Sequence, residues 1–153
     1  MGPATAGLFG LLGAPGALLA PLAGRLSDRV GTFRVSLFSL FAVSSAFILA
    51  GWAGALSLII LILAVNLLDF GLQSGQIANQ TRIFALGSDI RARVNTLYMV
   101  ATFGGGALGS WAGMQAWLAG NWQGVCLLGL TLVMLAAFVL MMSSGRTAIR
   151  QDD

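Results

Sequence analysis

Five polar side chains, Asn66, Asp69, Gln73, Gln76 and Gln80, recur at steps of 3, 4, 3 and 4 in an otherwise apolar stretch. At about 100° per residue they share an arc of roughly 80° on one helix. Asp69 is the sole acid in that stretch. An ionisable group inside a membrane is costly to hold there, which makes it a candidate for a path of protons, ions or substrate. The neighbouring amides can also act as hydrogen-bonding glue between helices. Asn66, Asp69 and Gln73 are therefore candidate cavity residues for a proton or a substrate, with Gln76 and Gln80 nearer one mouth.

A second cluster is the segment Gly24-Arg25-Leu26-Ser27-Asp28-Arg29-Val30-Gly31-Thr32-Phe33-Arg34. Its two glycines permit a tight reversal and close backbone approach. Between them lies one carboxylate flanked by arginines. Such a carboxylate can accept hydrogen bonds from Arg or from a helix N-terminus in one conformation and release them in another. The same arginines could also serve only to set topology. A third pattern is Ala101, Gly105, Gly109 and Gly113, small residues four apart that let two helices approach closely. The stretch from 4 to 23 carries the same device in Ala6, Gly10 and Ala14.

Other chemistries are excluded by what is missing. The chain has no His and a single Cys, Cys126. That removes zinc sites, thiol–imidazole pairs and Ser-His-Asp triads. No catalytic residue, metal or cofactor is expected, and the chain is not read as an enzyme. Eight arginines in separate segments form no continuous basic patch, so nucleic acid is not an expected partner. Cys126, inside an apolar run, reads as a packing residue.

The elements that must carry these residues follow from composition. Of 153 residues, 58% are apolar and 8% charged, with a mean hydropathy of +0.89. A soluble domain carries about 25% charged residues. An all-α membrane protein is expected, with five transmembrane helices near 4–23, 35–53, 55–80, 94–118 and 122–142. The first of these lacks a positive leader, and Arg25 follows it, so it reads as a span and not as a signal peptide. Connections alternate strictly between arginine-bearing and uncharged, which places all eight arginines on the cytoplasmic side. The amino terminus is then outside, the carboxyl terminus cytoplasmic, and the location the inner cell membrane. An odd number of spans with an uncharged outside start reads as part of something longer.

The arginine-rich loop resembles the signature of the major facilitator superfamily of secondary transporters, Gly-x-Leu-Ala-Asp-Arg-x-Gly followed by basic residues. Gly24, Leu26, Asp28, Arg29 and Gly31 match, Ser27 replaces Ala, and Thr32 and Phe33 stand where the basic pair would be. That wear is typical of the second copy of the motif, between helices eight and nine. The stretches 79–86, 91–99 and 104–110 resemble the arabinose- and sugar-efflux permease branch. The resemblance implies helices 8–12 of a twelve-helix transporter, a partial six-helix repeat whose substrate site lies between two repeats. It further implies proton-coupled efflux of a small molecule by alternating access. Gly24, Asp28, Arg29 and Gly31 would form the gate loop, and Gly105, Gly109 and Gly113 a packing face toward the absent amino-terminal repeat. Alone, such a chain is not expected to transport. The competing reading is a small self-associating membrane protein, or one half of a split transporter.

Overall fold

The computed structural model describes residues 30–52 and 57–149, with side chains at 30–52 and 57–143. The expected span at 4–23, and Gly24, Asp28 and Arg29 of the gate loop, lie outside the described residues. Three helices are present: α1 (Thr32–Trp52), α2 (Leu58–Phe84) and α3 (Ser88–Ile149). Each is long and apolar enough to cross a membrane.

Three observed bounds run past the expected ones, while α1 ends at Trp52, one residue short of 53, and α2 begins at Leu58, three residues after 55. α1 begins three residues before 35, α2 continues from 80 to Phe84, and α3 begins at Ser88 instead of 94. Hydropathy locates the hydrocarbon-crossing part only. The backbone goes on hydrogen-bonding helically through charged positions such as Arg82, Arg91 and Arg93, which hydropathy counts against a span. Two turn devices mark the start of α1 and the link between α2 and α3. Gly31 sits at φ 87°, a left-handed conformation open to glycine, and its carbonyl accepts the Val35 N–H at 3.3 Å. After α2, Arg91 turns back to donate from Nη2 to the Leu86 carbonyl at 3.0 Å.

α3 is 62 residues long, about 90 Å if straight, roughly three times the hydrocarbon thickness. It is not straight. Helical geometry fails at Gly120 (φ −143°, ψ 18°) and Asn121 (φ 51°, ψ −141°). On an unbroken helix residues 116 and 124 would be about 12 Å apart. Here a Cβ on Gly124 would strike the Ala116 carbonyl, so the chain folds back on itself. The break falls at the boundary expected between the spans at 94–118 and 122–142. α3 thus has a first arm, 88–119, and a second arm, 122–149.

α1 and α2 pack antiparallel through small residues. The Ser39 hydroxyl donates to the Gly71 carbonyl at 2.7 Å, and Val35, Ser36, Ser39, Ala42, Val43 and Ala46 are buried. On α2 the buried set is Ala64, Gly71, Ser74, Ala78 and Ile83. A Cβ at Gly71 would lie 2.7 Å from Val43 Cγ2 and 3.1 Å from the Ser39 carbonyl oxygen, so the glycine is what admits α1. In lipid there is no hydrophobic drive between helices, and close packing of this kind supplies the attraction. Phe38 and Phe70 add an edge-to-face ring pair with centroids 6.0 Å apart.

The second arm of α3 lies antiparallel along α1. Trp122 Nε1 donates to the Ala50 carbonyl at 2.8 Å, Cys126 packs against Gly51, and Gly129 receives the Phe47 ring. The first arm has a different surrounding. Of residues 88–143 only Cys126 is buried, and Phe103 and Leu108 are 75% and 70% exposed.

Candidate functional site

The packed face of α2 fixes where its polar residues lie. Measured around the helix at 100° per residue, the average direction of Asn66, Asp69, Gln73, Gln76 and Gln80 is about 180° from that of Ala64, Gly71, Ser74 and Ala78. The expected polar stripe therefore occupies the side of α2 that turns away from α1. Asn66, Asp69, Gln73 and Gln80 are half-buried, and Gln76 is exposed.

These side chains are poor in partners. Asn66 Nδ2 donates to the carbonyl of Ile62, one turn back on its own helix, at 2.9 Å. Asn66 Oδ1 is buried and accepts no hydrogen bond. A buried acceptor left unmatched costs about 1–3 kcal/mol, so it marks a place where a donor belongs. Asp69, Gln73, Gln76 and Gln80 make no side-chain hydrogen bond or ion pair among the described residues. The glue role, in which the amides tie α2 to a neighbouring helix, is thus not what the described helices display. Interhelical bonding falls to residues outside the stripe, Ser39 to Gly71, Arg82 to Thr32, and Trp122 and Gln123 to Ala50 and Gly51.

Gly31 and the polar stripe are separate. Just after Gly31, the Thr32 hydroxyl accepts from Arg82 Nε at 3.1 Å. Arg82 follows Asp69 by thirteen residues, roughly 20 Å along α2. Thr32, which stands where the resembled motif has a basic residue, thereby joins the start of α1 to the end of α2. An arginine in the motif's place would set a like charge beside Arg82. Arg82, Arg91 and the start of α1 lie at one end of the bundle, as do Ser36 and Ser143, which line one cleft of about 530 Å³ with Ser39, Asn79 and Leu132.

Gly105, Gly109 and Gly113 sit on the first arm of α3 with nothing within 4 Å of a Cβ built on any of them. Gly104 and Gly106 are equally open. Among the described residues, no three His, Cys, Asp or Glu side chains come together.

Comparison with known proteins gives the arrangement a context. The chain is 40% identical over 117 residues to YgaY of Escherichia coli O157:H7, named an uncharacterized transporter. It is 39% identical over 126 residues to the "Probable transporter SCO4007" of Streptomyces coelicolor. The matches cover 76% and 82% of this chain but 29% of either relative. This is a multi-pass membrane chain similar to part of a transporter. No family model matches it. No solved structure matches it.

Proposed function

We propose that the chain corresponds to helices eight to twelve of a major facilitator efflux permease, of the sugar-efflux-like branch, working by alternating access coupled to protons. The observation that carries this is the polar face of α2, turned away from its packed side and unpartnered in the described chain. In this reading Asp69, with Asn66 and Gln73, lines the path of the substrate and of the proton. Gly24, Asp28, Arg29 and Gly31 form the loop that gates the cytoplasmic side, and the Arg82–Thr32 hydrogen bond supports that end. Transport requires walls from both repeats, so the chain alone is inactive and has no enzymatic role.

Arg34, Arg82, Arg91 and Arg93 gather toward one end of the described bundle, which supports a cytoplasmic carboxyl terminus in the inner membrane. A reporter fused after Asp153 is expected inside, and an exported reporter would overturn the orientation.

The decisive test is co-expression with the part of the Escherichia coli relative that the chain does not match. Efflux restored by the pair, and abolished by Asp69→Asn, is the expected result. Efflux indifferent to Asp69→Asn would remove Asp69 from the path. The open glycine face on the first arm of α3 favours a second reading, a self-associating membrane protein without transport of its own. Crosslinked oligomers of the chain that persist in the presence of the complementary part would favour it.

A further inference from the structure

Building on the transport reading, we propose that the polar face of α2 receives a solute that donates hydrogen bonds and carries positive charge, an organic ammonium. The argument starts from what the face offers. Asn66 gives one of its two Nδ2 N–H donors to the Ile62 carbonyl, while its acceptor Oδ1 is buried and unmatched. One turn further on lies Asp69, whose ionised carboxylate accepts hydrogen bonds and donates none. The two acceptors lie about 4.5 Å apart along the helix axis. Gln73, on the next turn, can present either end of its amide.

Charge points the same way. Between residues 35 and 81 Asp69 is the only charged residue, and residues 94–145 hold none. The arginine nearest to it on α2, Arg82, is engaged by Thr32 at the end of the bundle. An anionic solute on this face would meet the Asp69 carboxylate and, among the described residues of α2, no cation nearer than Arg82. A neutral polyol would satisfy Asn66 but leave Asp69 without a counter-charge. An ammonium group satisfies both, since its N–H bonds are charge-assisted toward the carboxylate and it supplies the donor that Asn66 Oδ1 lacks. Asn66 then forms the floor of the site, and the half-buried Asp69 the side from which solute enters.

The test uses the whole 153-residue chain in lipid nanodiscs, with 15N-labelled side-chain amides. Asn66 is identified by the signal lost in Asn66→Ala. Three probes of matched shape are titrated: benzylammonium, benzyl alcohol and benzoate. Benzylammonium is expected to shift the Asn66 amide saturably, benzyl alcohol more weakly, and benzoate not at all. Asp69→Asn should weaken benzylammonium at least about tenfold and bring it level with the alcohol. Asp69→Glu, which keeps the charge, should retain the preference. Benzoate binding as tightly as benzylammonium, an unchanged affinity in Asp69→Asn, or no saturable shift with any probe would each overturn the proposal. The transport reading is judged separately. Efflux of an anion by the co-expressed pair would leave that reading standing while removing the ammonium.

Discussion

The α1–α2 hairpin and the first arm of α3 are built from the same material and end in opposite conditions. Both carry small residues at helical spacing. In the hairpin, Gly71 and Gly75 receive Val43 and Ser39 of α1, and a hydroxyl-to-carbonyl bond closes the contact. In the arm, Gly105, Gly109 and Gly113 face open space. A small-residue face permits close approach but does not choose who approaches. In α1 the choice is made by Ser36, Ser39, Ala42, Val43 and Ala46, a complementary face within reach of the adjoining helix. The arm has no such complement among the described residues.

That contrast can be broken most severely at Gly71. Gly71→Ile forces a branched side chain into Val43 and the Ser39 backbone, and should destabilise the chain by about 3 kcal/mol, read from reversible unfolding in mixed micelles. Gly124→Val comes next, at about 2 kcal/mol, because the added group meets the Ala116 carbonyl and must push the two arms of α3 apart. Its separate readout is a red shift in tryptophan emission as Trp122 loses the Ala50 carbonyl. Ser39→Ala removes one interhelical hydrogen bond and should cost only about 0.6 kcal/mol in the same unfolding measurement. Gly109→Ile closes the series, with a change within about 0.5 kcal/mol in the isolated chain. If Gly109→Ile destabilised the isolated chain as much as Gly71→Ile, the two regions would not differ as described.

The sequence carried some of this plainly. Apolar runs located α1 and α2 and both arms of α3, because hydropathy reports directly on which backbone must satisfy its own hydrogen bonds in lipid. The 3–4 spacing from Asn66 to Gln80 put those residues on one face, and the structure keeps them there. Which way that face turns was not legible, since it depends on Gly71 and Ala78 finding α1, a contact between residues more than thirty positions apart. The glycines of the first arm looked more like a seam than Ser39 and Gly71 did. In one dimension an occupied small-residue face and a vacant one read alike. The role of Thr32 was hidden for a related reason: as a departure from a motif it looked like a loss, until Arg82 supplied its partner from fifty residues away.

The break at Gly120 and Asn121 also works as a parity element. Without it α3 would be a single rod, and everything after residue 121 would emerge on the face of the bilayer opposite to the start of α1. With it, Ser143 returns to the end that holds Ser36, and the pair lines a shared cleft. Two consecutive non-helical residues thus decide at which end of the bundle the second arm finishes, and whether α1 has a third helix to lean on.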